Sequence, residues 1–238
     1  MSPNPYAPPA ADLGLETLAS ASAGRGDFDI GQCISEAWAN TWSNVGLWLG
    51  TGIVWTLAFV LTALTGIGLV LATPVLAWGI TYFSLRLHDG GAEFRDAFAG
   101  FSRYGKALGT MLAIFVVLFL INLAGQSIEI AGNAVGNSTL ARIGTVVSLG
   151  FAFLVVPRLN FSYFLAVDRD VPALESVRRS WDETGRAKWK VAGMMVLSVV
   201  FVFVGALVLI VGMIPAMVFV SLMWVSAYRQ VFGGPAAA

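Results

Sequence analysis

Between Val45 and Leu85 the chain carries no charged side chain, and a second charge-free run extends from Val191 to Tyr228. Each run is roughly twice the ~20 apolar residues that cross the hydrocarbon core of a bilayer. That length is too great for one crossing and fits two helices joined by a turn. Lipid offers no hydrogen-bond partner to a backbone N–H or C=O, so each crossing must satisfy them internally, as a helix does. Composition points the same way. Of 238 residues, 57% are hydrophobic and 12% charged, whereas a soluble domain typically carries ~25% charged residues. There is too little charge here to cover a water-facing surface. The expected fold is an all-α polytopic membrane bundle.

Six spans are expected. Thr65-Gly66-Ile67-Gly68 divides the first run into Val45–Leu64 and Ile67–Leu87, and Gly212-Met213 divides the last into Val191–Val211 and Ile214–Tyr228. Between them lie spans near Ala107–Gly125 and Ile143–Val167. An even number places both termini on one side. Of the 14 Lys and Arg residues, twelve fall on that side, Arg142 alone falls opposite, and Arg158 lies within the fourth span. The positive-inside bias therefore predicts cytoplasmic termini. Residues 1–27, rich in Pro, Ala, Ser and Gly, are expected to be a disordered tail. Residues 28–232 form the membrane domain, and residues 233–238 a frayed end.

An amphipathic segment precedes each pair of spans. In the first, Ile30, Cys33, Ile34, Ala37, Trp38, Thr41 and Trp42 recur at helical spacing, with Gln32, Glu36 and Asn40 on the other face. Phe94, Ala97, Phe98 and Phe101 mark the second. Leu174, Val177, Trp181 and Trp189 mark the third, with Asp170 and Pro172 as its start. Glu36-Ala37-Trp38, Asp96-Ala97-Phe98 and Glu175-Ser176-Val177 echo one another, and Pro74, Pro157 and Pro215 fall in the second, fourth and sixth spans. The pattern predicts one unit used three times: an interfacial helix, then a transmembrane hairpin. The expected architecture is six transmembrane helices with three cytoplasmic interfacial helices.

Arg158 is the most informative polar residue, because a charge at membrane depth costs several kcal/mol unless it is paired or hydrated. Two readings stand. It contacts a substrate or lipid headgroup inside the bundle, with Asn160 nearby, or it snorkels to the headgroups or bonds carbonyls freed by Pro157. The weight falls on the second. Asn122, Gln126 and Glu129 share one face of the third span, either lining a pathway or bonding between helices. Gly46-x-x-x-Gly50 is expected to pack within the chain. Trp38, Trp42, Trp181 and Trp189 suit the headgroup level as anchors. His88, beside Asp89, reads as a solvated loop residue, and Cys33 as a small apolar one.

Catalytic signatures are absent: the chain has no G-x-S-x-G, no H-E-x-x-H and no phosphate-cradling G-x-x-x-x-G-K-[ST], since Gly100 to Lys106 is followed by Ala107 where that motif needs Ser or Thr. One His and one Cys argue against a His- or Cys-built metal centre. No cofactor is expected. Zero net charge gives no reason to expect nucleic-acid binding. The expected partners are the lipid bilayer and a membrane-protein partner.

The motifs Glu36 to Trp38, Asp96 to Phe98, Phe161-Ser162-Tyr163-Phe164, Glu175 to Trp181 and the tail Asn4 to Pro9 resemble those of uncharacterised bacterial six-helix membrane proteins. These are distantly similar to the membrane domain fused to some glycerophosphodiester phosphodiesterases. The resemblance covers about residues 28 to 230 and implies a bacterial cytoplasmic (inner) membrane location. It supplies no catalytic residues. Two functions are expected: a non-enzymatic membrane-organising or accessory protein, or a small transporter or permease with a site near Arg158.

Overall fold

The computed structural model describes residues 27–234 apart from residue 208, so the expectations for residues 1–26 and 235–238 lie outside the described residues. Helix α1 is Ile30–Ser43. It starts where the Asp29 side chain accepts the Gln32 N–H at 2.8 Å, an N-cap that satisfies one of the first-turn donors. The first hairpin is α2, Val45–Leu64, and α3, Ile67–His88, turning at Gly66 with φ +61, where a side chain would strain. A 3₁₀ helix, Phe94–Phe98, opens with a reciprocal Glu93–Asp96 capping box and leads into the short α4, Ala99–Ser102. The second hairpin is α5, Tyr104–Ala134, and α6, Ser138–Asp168. The amphipathic α7 is Ala173–Glu183, and the last hairpin is α8, Lys188–Leu207, and α9, Leu209–Phe232. Six of these helices are long and apolar enough to cross a membrane. The protein is an all-α membrane bundle.

Three boundaries differ from expectation. The middle hairpin runs well past Gly125, because the polar residues beyond it bond within the helices. Gln126 donates to Asn122 at 2.6 Å and Ser127 to the Leu123 carbonyl at 2.7 Å. The turn comes at Gly136, φ +68, and Asn137 caps α6 by accepting from Thr139 and Leu140. Gly212 does not turn the last hairpin. It lies inside α9, and its carbonyl abuts Gly205 of α8, so these glycines permit close approach. Asp170 does not start α7. It adopts φ +53 and pairs with Arg103 at 2.9 Å and Lys106 at 2.5 Å, while Pro172 precedes the helix.

The packing closes in a ring. Each unit's amphipathic segment packs on the second span of the unit before it: the 3₁₀ helix and α4 on α3, α7 on α6, and α1 on α9. The first spans repeat the rule, since α5 packs on α3, α8 on α6 and α2 on α9. The equivalent residues Ala37, Ala97 and Ser176 are all buried. In the most apolar stretches of α3 and α9 half the residues are buried, against 11% in α2 and α5, so α3 and α9 are inner helices and α2 and α5 outer ones. α3 also packs on both α6 and α9, which brings the three second spans together. Their C-terminal ends, the amphipathic helices and Lys and Arg residues such as Arg86, Arg103, Arg169 and Lys188 lie at one end of the bundle, the basic face. Gly46 and Gly50 have no neighbour within reach, which corrects the expectation that they pack within the chain.

Candidate functional site

Arg158 is 9% exposed, and its guanidinium is held against the end of α7. Its Nε donates to the Thr184 hydroxyl at 3.1 Å and its Nη2 to the Trp181 carbonyl. The guanidinium lies 3.6 Å from the Trp181 ring centroid, a cation–π contact. The Ser180 hydroxyl donates to the Arg158 carbonyl. These acceptors sit at the C-terminal end of α7, Trp181 in its last turn and Thr184 at its cap, where free carbonyls and the helix dipole favour a cation. Arg158 is thus the pin that holds α7 on α6. Its partners lie on the amphipathic α7, and none of them is a carbonyl freed by Pro157.

The remaining expected site residues do not converge on it. Asn160, two residues along α6, is exposed and lines a different space. Asn122 and Gln126 bond to each other on the exposed surface of α5. Glu129 accepts from Thr145 at 3.1 Å across the middle hairpin. The expected anchors are exposed along the amphipathic segments: Trp38 and Trp42 edge to face on α1, Trp181 on α7 and Trp189 at the start of α8. Phe94, Phe98 and Phe101 complete an exposed aromatic collar, one third from each unit.

A second cluster escaped the sequence reading. Arg229 of α9, its side chain 8% exposed, donates to Asp168 of α6 at 2.7 Å and to Asp89, just past α3, at 2.6 Å. The Tyr228 hydroxyl donates to Asp168 at 2.8 Å. His88 sits between Asp89 and Glu36 of α1, 3.4 Å from each, and the Ser226 hydroxyl donates to Glu36 at 2.5 Å. One cation therefore ties the ends of all three second spans, and His88 extends the network to α1. His88 is a member of a partly buried network, not a solvated loop residue. The hydrogen bond to His88 leads the causes that hold the Glu36 carboxyl down at about 2, with Ser226 and Gln32 adding to it. Burial raises the Asp89 carboxyl, but His88 and Arg229 outweigh it and leave it below the usual range. Burial pushes the Cys33 thiol, packed beneath Gln230, up to about 11, so the neutral thiol fills an apolar position. Among the described residues no three His, Cys, Asp or Glu side chains converge as metal ligands.

Comparison with protein-family models, with characterised proteins and with solved structures finds no match for this chain. The site must therefore be read from its own geometry.

At membrane depth a cleft of about 830 Å³ opens among α3, α5, α6 and α8, with Trp224 of α9 at its wall. Apolar side chains dominate its walls, and among the described residues no charged one lines it. At its base the Trp224 Nε1 donates to Ser198 at 2.9 Å, and the Tyr163 hydroxyl donates to the Pro74 carbonyl at 3.0 Å. Arg158 is not among its walls.

Proposed function

We propose that this chain is a non-enzymatic, membrane-organising or accessory protein of the bacterial cytoplasmic membrane, with both termini and the basic face in the cytoplasm. The bacterial location follows the resemblance of its short motifs to six-helix bacterial membrane proteins. The orientation follows the distribution of Lys and Arg. The observation that carries the functional reading is the aromatic collar. Three amphipathic segments present Trp38 and Trp42, Phe94 to Phe101, and Trp181 outward, with Trp189 beside them at the start of α8, while their inner faces pack on the second spans. Amphipathic helices with aromatic outer faces sit at the headgroup level and perturb lipid packing there. Closed into a ring, they form a collar able to hold lipids or a membrane-protein partner at a fixed height.

A transporter with its site at Arg158 needs an open route to that guanidinium. Trp181 covers it and Thr184 engages it, so the geometry favours the organising role.

Two measurements test the proposal. In a Cys33→Ser background, an impermeant thiol reagent added from outside should label Asn137→Cys but not Gly91→Cys or Glu183→Cys. The reverse pattern would invert the orientation. In reconstituted vesicles the protein should change lipid packing reported by a headgroup-level dye, and replacing Trp38, Trp42 and Trp189 by Ala should abolish the change. A dye signal identical in empty vesicles would remove the organising role.

A further inference from the structure

The cleft holds one polar group that the fold does not satisfy. Ser198 donates to the Met194 carbonyl and accepts from Trp224; Tyr163 donates to Pro74, and Thr81 to Ala77. Asn160, exposed to the cleft, also lines it, and its carboxamide has no hydrogen-bond partner among the described residues. An amide presents two donors and an acceptor, and at membrane depth it has no water to turn to. The walls around it are apolar and uncharged. The matching ligand is therefore a long hydrocarbon chain bearing a single uncharged acceptor near one end.

The bilayer supplies that molecule in bulk. We propose that the cleft is a binding site for one membrane phospholipid, its acyl chain filling the cleft and its ester carbonyl accepting a hydrogen bond from the Asn160 amide. The direction follows from the fold. α6 runs toward the basic face, so along this wall Asn160 lies nearer that face than Val156. The ester end of the lipid belongs near Asn160 and Tyr163, and the tail extends toward Thr73 and Ala206. The volume lies within the ~300–1,000 Å³ usual for a ligand site. The proposal depends on the protein residing in a bilayer and not on the collar, whose dye test is independent of it.

The test is native mass spectrometry of the protein released from nanodiscs of mixed phosphatidylcholine and phosphatidylglycerol. One phospholipid per chain should survive activation that strips the rest. Both headgroups should be retained, because the described residues that line the cleft are uncharged and hold the acyl chain and ester, not the headgroup. Val202→Trp fills the cleft and should reduce retention at least about tenfold. Ala77→Leu, a smaller change, should reduce it less, and melting in detergent confirms that each variant is folded. Replacing diacyl by dialkyl phosphatidylcholine removes the carbonyl and should cost about three- to tenfold in retention, the worth of one hydrogen bond. In Asn160→Leu that difference should vanish. Equal retention by wild type and a folded Val202→Trp or Ala77→Leu would overturn the site. Equal retention of ester and ether lipids by wild type would overturn the Asn160 contact.

Discussion

The basic face and the far half of the middle hairpin are built from the same helices on different principles. At the basic face, polar side chains from distant elements meet in closed networks: Arg229 with Asp168 and Asp89, Glu36 with His88 and Ser226, Arg158 with the end of α7. In the far half of α5 and α6, Ile130, Val135, Val146 and Leu149 are exposed, and the two helices touch mainly each other. There the backbones interlock through small residues: Gly125 against Ser148, Gly132 against Ala141, and Gly144 against Glu129. Lipid explains the difference. An apolar side chain facing hydrocarbon gains little from burial, so helix association relies on close packing. At the wet end, hydrophobic burial and specific polar pairing both operate. One region is held by partners, the other by fit.

Removing a partner should cost more than spoiling a fit. Arg229→Leu leaves Asp168 and Asp89 partly buried without their cation. Breaking such a pair costs about 3–5 kcal/mol, and a large fall in the melting temperature in detergent should report it. Adding Asp168→Asn and Asp89→Asn should restore much of the loss, since stranded charge is its source. A mild effect of Arg229→Leu alone would show that the network does not anchor the basic face. Arg158→Leu comes next. It strips the hydrogen bonds from the Trp181 carbonyl and Thr184, and hydrogen bonds to charged groups are worth about 1.5–3 kcal/mol. It should also free α7, seen as faster amide exchange over residues 173–184. Unchanged exchange there would mean that apolar packing alone docks the helix.

Gly144→Leu probes the other principle. Its side chain would press on the Glu129 backbone, and overpacking typically costs about 1–3 kcal/mol. The damage should stay in the hairpin: exchange should quicken over residues 125–148, with no change around Ser226 to Arg229. Exchange quickening equally at both ends would dissolve the contrast between the two regions.

The spans were legible because lack of charge over a long run has one main physical solution. Gly66 was legible as a turn, whereas Gly212 was not, since glycine serves tight turns and close helix contacts alike and only the partner helix decides. The three-unit pattern was visible in Ala37, Ala97 and Ser176. Its closure was not, because α1 meets α9 across most of the chain, as Glu36 meets Ser226. Arg158 was identifiable as a residue in need of partners, but one of its acceptors is a backbone carbonyl, which side-chain pattern does not disclose. The Arg229 network left a fainter signal: Asp89, Asp168 and Arg229 all fall at the ends of second spans, where a cyclic repeat brings them together. The cleft left none, because its walls are ordinary span residues.

The smallest expected effect refines the account of the basic face itself. Glu36 stands at the edge of the network, its side chain 33% exposed, so solvent screens part of what its partners contribute. His88, Ser226 and Gln32 stabilise its ionised form and hold its carboxyl at about 2, below the ~4.3 of an unperturbed Glu. A group whose acidity is strengthened by folding contributes stability in full above its unfolded value and loses it as pH falls through its folded value. Wild type should therefore exceed Glu36→Gln in melting temperature, by a margin that grows as pH falls and His88, which Glu36 helps to keep protonated, takes up its proton, and that is greatest at about pH 5. The margin should shrink progressively from there to about pH 2 as Glu36 protonates. The comparison with Gln cancels the other carboxylates, Asp89 among them, which titrate in both proteins. A margin that persists unchanged at the lowest pH would mean that Glu36 acts through its shape and not its charge. The docking of α1 on α9 would then rest on the buried face of Cys33, Ala37 and Thr41, the Trp38–Phe219 ring contact and the bond from the Asp29 N–H to Gln230, with no contribution from the Glu36 charge.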